Sequence, residues 1–208
     1  MYHELLRDAS FWSFLFSIDE DLAESCRSEG CPCGGCLHRA DYPRKPRGVP
    51  RKELPEEYRY RLSFCCSRDG CRKRATPPSA RFLGRKVYLF AVVILVSAMR
   101  QGPTPRRVRE LSKLFGADRR TIARWRVFWN DHFPRTKFWH VRRARFVPVV
   151  SIADIPRSLL EAFVRSGDDR KEWEKLLRFL SPITTTEGLE IKVSAGSHKS
   201  AEDGRRRS

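Results

Sequence analysis

The chain has 208 residues, and its 42 Lys plus Arg against 25 Asp plus Glu give a formal net charge of +17. This excess of cations favours a polyanionic partner, and a hydrophobic fraction of 40% excludes a wholly disordered polycation. The length fits one or two domains and is short for a large multidomain enzyme.

An N-terminal helical segment is predicted over residues 1–29. Ser17 is expected to cap a helix that ends near Arg27, with Glu20 closing a capping box. Cys26 lies on the apolar side of that helix, which favours a small buried side chain over a metal ligand.

Residues 30–80 are rich in Cys, Gly, Pro and Arg and have too few apolar side chains for a core of their own. Cysteines at 31–36 and 65–71 have the spacing of two zinc knuckles, so we expect a zinc-ribbon-like module. A structural Zn²⁺ contributes roughly 10 to 16 kcal/mol of apparent binding free energy to such folds. The predicted ligands are Cys33, Cys36, Cys66 and Cys71, with Cys31, His38 and Cys65 as alternatives.

A proline-rich cationic segment, residues 42–48, lies between the two knuckles. Its prolines favour an extended backbone. Arg44, Lys45 and Arg47 are therefore predicted to follow phosphates or to enter a minor groove. A solvated surface loop is the alternative interpretation.

Residues 81–133 are predicted to form a helix-turn-helix domain with a trihelical core. An apolar run at 87–99 supplies the supporting helix, and Pro105 opens the next one. Gly116 then turns the chain, because glycine tolerates a positive φ, and Asp118 caps the second helix of the motif.

In that second helix Ile122, Trp125 and Trp129 recur at i, i+3 and i+7 and are predicted to face inward. The N-terminal end of a recognition helix reaches base edges in the major groove, where arginine can bind guanine through two hydrogen bonds. A helical hairpin with a solvated basic face is the alternative. The predicted DNA-binding residues of the helix are Arg119, Arg120, Thr121 and Arg124.

A basic linker and a helical hairpin are predicted over residues 134–182, with helices at about 157–165 and 170–180. Residues 183–208 are predicted to form a disordered basic tail. Taken together, the segments predict a mainly α-helical fold with a small zinc-ribbon-like β module and a trihelical helix-turn-helix core, followed by a short helical C-terminal region. The hairpin is expected to pack on that core, and a homodimer or a transposition partner is the alternative.

The order of the two modules resembles the DNA-binding part of insertion-sequence transposases, in which a zinc ribbon precedes a helix-turn-helix that binds the ends of the element. The resemblance covers residues 30–133 and rests on Cys33-Gly34-Gly35, on 66–76 and on the pattern at 111–125. Those transposases continue into an RNase H-like domain whose carboxylates hold two metal ions. Only 75 residues follow Phe133 here, so we expect no catalysis by this chain.

These features predict a zinc-stabilised protein that binds double-stranded DNA sequence-specifically and serves a mobile element as an accessory or regulatory factor. An RNA-binding module is the second hypothesis, because Trp139 with Arg142 and Arg143 could stack unpaired bases. A nuclease or transposase remnant is the third. The N-terminus has no secretory signal and no apolar run reaches the roughly 20 residues of a membrane span, so we expect a cytoplasmic, nucleoid-associated protein.

Overall fold

The computed structural model of the protein is mainly helical, and its strands lie in residues 37–75. This confirms the prediction of a mainly α-helical chain with a small β module. No helix in the described part of the chain is both long enough and apolar enough to cross a membrane. The structure describes residues 8–47, 54–83, 89–97, 105–106, 109, 112–113, 116–164 and 170–185.

The first helix, α1, spans Ala9–Glu29 and is longer than predicted. The predicted start at Ser17 is wrong. Asp8 caps the helix instead, and its carboxylate accepts a hydrogen bond of 2.8 Å from the backbone N–H of Ser10. The helix extends toward the N-terminus because aromatic residues before Ser17 are part of the core, as the complete burial of Trp12 shows.

Short antiparallel strands form two small sheets. In the first sheet the strand at 64–66 lies between those at 37–39 and 74–75, and in the second sheet the strand at 42–43 pairs with that at 60–61. Cys31, Cys33 and Cys36 precede the first strand, Cys65 and Cys66 lie in the fourth, and Cys71 lies between the fourth and the fifth. The strands are β1 (Leu37–Arg39), β2 (Tyr42–Pro43), β3 (Tyr60–Arg61), β4 (Phe64–Cys66) and β5 (Arg74–Ala75).

The remaining helices follow the sheets in the chain. Two of them agree closely with the predicted hairpin, since one begins at residue 157 and the other spans 170–180. A π-helical turn, Phe128–His132, directly continues the helix at residues 119–127. The helices are α2 (Phe90–Ser97), α3 (Arg119–Val127), α4 (Lys137–Arg142), α5 (Arg157–Phe163) and α6 (Arg170–Leu180).

One large hydrophobic core joins segments that are far apart in the sequence. Trp12 of α1, Phe90 of α2, Leu159 of α5 and Trp173 of α6 are all fully buried in it. The predicted boundaries at residues 29, 80, 133 and 182 therefore do not separate independent cores. A second, smaller core surrounds the cysteines and takes Ala23 from α1.

The predicted tail begins too early at residue 183. Ile183 is fully buried, and Thr184 is 6% exposed. The Thr184 hydroxyl accepts a hydrogen bond of 2.9 Å from the backbone N–H of Ser79, which ties this turn to the core. Residues 186–208 lie outside the described residues.

The second helix of the predicted helix-turn-helix is present as α3. Asp118 caps it and accepts a hydrogen bond of 2.7 Å from the N–H of Thr121, and Gly116 before it has a φ of +61°. Residues 105–106, 109 and 112–113 are helical as well. The predicted inner face of that preceding helix, Val108, Leu111 and Phe115, lies outside the described residues, so the complete motif stays a prediction.

A buried ion pair that the sequence pattern does not indicate connects α1 with the segment before α2. Asp19 and Arg81 are both 0% exposed, and the Arg81 Nε donates to the Asp19 carboxylate at 2.8 Å. The hydroxyl of Ser79 and the backbone N–H of Ala80 donate to the same carboxylate at 2.6 and 2.5 Å. Arg61, 1% exposed, lies 4.0 Å from it.

We expect Asp19→Asn to lower the free energy of unfolding by about 3 to 5 kcal/mol, because it leaves two buried guanidinium groups without a counter-charge. Urea denaturation of the full-length protein, followed by tryptophan fluorescence, measures this change. The control is Asp21→Asn, which removes an ion pair with Arg178. Because the Asp21 side chain is 65% exposed, this change should lower the free energy of unfolding by less than about 1 kcal/mol. Equal effects of the two variants would contradict the prediction.

Candidate metal centre and basic helix face

Four cysteine sulfurs converge at the start of the β module. The Sγ atoms of Cys31, Cys33, Cys66 and Cys71 all lie within 4.8 Å of one another. Cys31 and Cys71 are separated by 3.7 Å between sulfurs, and Cys33 and Cys66 by 3.5 Å. Zn–S bonds of about 2.3 Å in a tetrahedron place the sulfurs about 3.8 Å apart. The four side chains therefore fit one tetrahedral metal ion.

Three of the four predicted ligands, Cys33, Cys66 and Cys71, belong to this cluster. The fourth sulfur is that of Cys31, which was the predicted alternative to Cys36. The side chain of Cys36 is exposed and lies outside the cluster. The structure thus replaces Cys36 with Cys31 in the candidate ligand set.

A tight turn explains this choice of cysteine. The N–H of Gly34 donates to the Cys31 carbonyl at 2.7 Å, and the N–H of Cys31 donates to the Gly35 carbonyl at 3.1 Å. The turn brings Cys31 and Cys33 into one small loop with both sulfurs in the cluster. Cys36 follows the turn, where the chain leaves toward β1.

The register of β1 against β4 places Cys66 on one face of the sheet and the alternative ligands His38 and Cys65 on the other. Cys66 pairs with Leu37, and both side chains are buried in the small core. His38 and Cys65 pair with each other at the neighbouring position. Since successive side chains of a strand point to opposite faces, these two residues lie on the other face of the sheet and outside the cluster.

The thiols of Cys33 and Cys66 differ in acidity. The backbone N–H of Gly35 and the neighbouring thiols lower the pKa of Cys33 to about 6. The N–H of Arg68 lowers the pKa of Cys66, but burial and the other thiols outweigh it and raise that pKa to about 12. A metal ion binds thiolates, so its binding would displace the remaining protons and is favoured by rising pH.

Gly35 is a component of the centre that the ligand spacing alone does not reveal. A Cβ atom at this position would lie 2.6 Å from the Cys66 sulfur and 3.4 Å from that of Cys33. A side chain at residue 35 would therefore occupy the space that the two sulfurs need. The pair of adjacent glycines between Cys33 and Cys36 is the sequence signal for this constraint.

Loss of a residue that only hydrogen-bonds to a ligand typically lowers metal affinity by roughly 10- to 100-fold. We expect Cys31→Ser to lower zinc affinity by more than this. The reason is that serine supplies no thiolate. Competition with a chromogenic chelator measures the affinity, and Cys36→Ser is the matched control. A larger loss of zinc affinity in Cys36→Ser than in Cys31→Ser would restore Cys36 to the ligand set.

We expect Gly35→Ala to weaken zinc binding by roughly 10- to 100-fold, because its methyl group would displace the Cys66 sulfur. Gly34→Asn is the control. Gly34 has a φ of +79° with no atom within 4 Å of an added Cβ, and asparagine tolerates that conformation. Zinc titration with equal affinities for both variants would show that the space beside the sulfurs is not limiting.

The helix α3 presents arginines on one side and buries the other. Ile122 and Trp125 are each 2% exposed, and Trp129 in the following π-turn is 0% exposed, in agreement with the predicted inner face. On the outer side, Arg119 and Arg120 are exposed and form no ion pair within the described residues. These guanidinium groups are available to a polyanion.

Thr121 does not lie on the outer face where it was predicted. It is 4% exposed, because it precedes Trp125 by four residues and shares its side of the helix. Its hydroxyl accepts a hydrogen bond of 3.0 Å from Nη2 of Arg124, which is exposed. The hydrogen bond from the backbone N–H of Thr121 lowers the pKa of Asp118, and the positive charge of Arg124 contributes to a smaller extent. The Thr121 hydroxyl therefore orients the Arg124 side chain.

The proline-rich cationic segment is held at both ends. Tyr42 is the first residue of β2. The guanidinium carbon of Arg44 lies 5.4 Å from the centre of the Tyr42 ring. The carbonyl of Arg47 accepts a hydrogen bond of 3.0 Å from the N–H of Leu89. Lys45 and Arg47 have exposed side chains, so the predicted cations lie on an anchored surface segment.

The aromatic residue that the RNA hypothesis relied on is buried. Trp139 is 1% exposed, and its ring packs against those of Phe133 and Phe146 at centroid distances of 5.3 and 6.0 Å. It is therefore not available to stack on an unpaired base. Of the predicted trio, only the two arginines, Arg142 and Arg143, remain accessible.

Comparison of the chain with protein-family models finds no match, and neither the curated proteins nor the solved structures contain one. The functional interpretation therefore depends on the geometry of the cysteine cluster and of α3.

Proposed function

We propose that this chain is a zinc-stabilised protein that binds double-stranded DNA sequence-specifically. The observation that carries the proposal is the organisation of α3. It exposes Arg119 and Arg120 in its first turn and Arg124 in its last turn, and the buried Thr121 holds the Arg124 guanidinium. An oriented guanidinium loses less side-chain entropy on binding than a free one.

Major-groove readout is the mode of binding that suits this helix. An α-helix fits the major groove, which is about 12 Å wide, and arginine forms two hydrogen bonds to O6 and N7 of guanine there. Arg119 and Arg120 lie at the N-terminal end, the part of a recognition helix that contacts bases, and Arg124 lies about one turn further along the helix. The net charge of +17 supplies the attraction to phosphates.

Zinc is the proposed metal, and its proposed role is structural. Four cysteine sulfurs in a tetrahedron are a preferred ligand set of Zn²⁺ and leave no open coordination position for a substrate or water. The small core around them contains few apolar residues, among them Leu37, Leu62 and Phe64. Metal binding would provide the stability that so small a core lacks.

The resemblance to insertion-sequence transposases suggests the class of DNA, namely the ends of a mobile element. Under this proposal the protein acts there as an accessory or regulatory factor and binds without cutting. Magnesium-dependent nicking of bound DNA by the purified protein would contradict the non-catalytic role.

Selection from a random duplex library tests the main proposal. Zinc-loaded full-length protein is used at physiological salt, where nonspecific phosphate binding is weak. We expect a reproducible enriched motif whose symmetry reports the oligomeric state. Failure to enrich a motif would overturn the proposal, and preferential binding of single-stranded RNA in a parallel competition would favour the RNA hypothesis.

We expect Arg124→Ala to weaken binding to the selected site by about 1 to 3 kcal/mol and to relax discrimination at one base pair. Arg124→Lys is the sharper variant, because it keeps the charge and loses the two-donor geometry. It should lose discrimination while retaining nonspecific affinity. The control Lys175→Ala removes one charge from the exposed side of α6. Anisotropy titrations on matched and mismatched duplexes measure both quantities, and unchanged discrimination in both Arg124 variants would exclude this contact.

A further inference from the structure

A loop that the proposed function does not use exposes two apolar side chains almost completely. Residues 143–149, here called the valine loop, follow α4. Val147 is 95% exposed and Val149 is 85% exposed, and Pro148 between them is exposed as well. Such exposure of adjacent apolar residues indicates a contact surface when the loop that carries them is ordered.

The core holds the valine loop in place. The ring of Phe146 packs against the rings of Phe163 and Phe179 at centroid distances of 5.7 and 5.3 Å. On the other side of the valines, Val150 is only 7% exposed. The two valines therefore point into solvent from a segment that is anchored immediately before and after them.

The valine loop also carries unneutralised positive charge. Arg143 and Arg145 are exposed, and neither forms an ion pair with a carboxylate in the part of the chain that the structure describes. The loop thus combines cations with apolar side chains. A partner that satisfies both must be anionic and must also offer an apolar wall.

The position of the loop relates it to α3. The chain leaves the valine loop into a short 3₁₀ turn, Ile152–Asp154, which packs against the π-turn Phe128–His132. That π-turn is the direct continuation of α3. The valine loop therefore ends a few residues before a turn that lies beside the C-terminal end of the proposed recognition helix.

We infer that the valine loop is a second DNA contact and enters the minor groove next to the major groove that α3 occupies. The inference rests on the proposed function. The minor groove is about 6 Å wide, too narrow for a helix but wide enough for a non-helical segment, such as residues 146–149 that follow the 3₁₀ turn Arg143–Arg145. Arginine is favoured there by the strongly negative potential of A·T-rich DNA. Apolar side chains that enter it contact the sugars or wedge between base steps.

Charge argues against a second copy of this chain as the occupant. Two valine loops in contact would bring Arg143 and Arg145 of one copy close to the same residues of the other, and like charges in an interface are repulsive. The duplex, in contrast, supplies phosphates for the arginines and deoxyribose for the valines.

The test uses the full-length, zinc-loaded protein and the duplex from the random selection. The variant carries Val147→Ser and Val149→Ser together, and both positions are so exposed that the fold should be unaffected, which thermal denaturation checks. The control Val141→Ser changes a valine that is 65% exposed on α4, outside the loop. We expect the Kd of the double variant to rise roughly tenfold and that of the control to stay unchanged.

A second readout identifies the groove. Replacement of adenines that flank the α3 site by 2,6-diaminopurine adds an amino group in the minor groove and leaves the major-groove pattern intact. The Kd of the wild-type protein should be higher for this duplex than for the unmodified one. The Kd of the double variant should be the same for both duplexes. If the selected motif is enriched but neither change alters the Kd, the inference is overturned and the proposed function stands. If no motif is enriched, the proposed function fails and this inference fails with it.

Discussion

The buried carboxylate of Asp19 is the contact on which the arrangement of the chain depends. It accepts hydrogen bonds from Ser79, Ala80 and Arg81, which lie about sixty residues further along the chain. The Arg81 guanidinium in turn donates to the Glu57 carbonyl at 2.7 Å. A charge removed from water must be paired, so few relative positions of α1 and the segment before α2 are compatible with folding.

The helix α1 connects the two cores of the molecule. Its N-terminal half contributes Trp12 and Leu15 to the main core, while Ala23 packs in the small core around the cysteines. The cysteine cluster is therefore packed against α1 through the small core. A metal in the cluster would order the small core, and α1 would transmit that order to the main core on which α3 packs.

Several local features follow from the sequence alone. The spacing of the cysteines predicts a module with Cys33, Cys66 and Cys71 in one cluster, because two knuckles can share a metal only if each supplies closely spaced ligands. The inner face of α3 follows from its helical period, and Asp118 as its cap follows from the chemistry of orphan N–H groups. The bounds of α6, Arg170–Leu180, agree with the helix predicted at about 170–180.

Local sequence patterns thus predict the set of elements and the chemistry that each one carries: a cysteine module, a capped arginine-bearing helix and a helical C-terminal region. Packing between distant segments selects the face of each element that is used. Cys31 replaces Cys36 because the turn at Gly34 and Gly35 folds back on itself. Thr121 and Trp139 are buried because the core covers their side of the helix, and Asp19 is paired with a residue sixty-two positions away. Periodicity and spacing record local geometry, whereas these outcomes depend on long-range partners that no local pattern specifies.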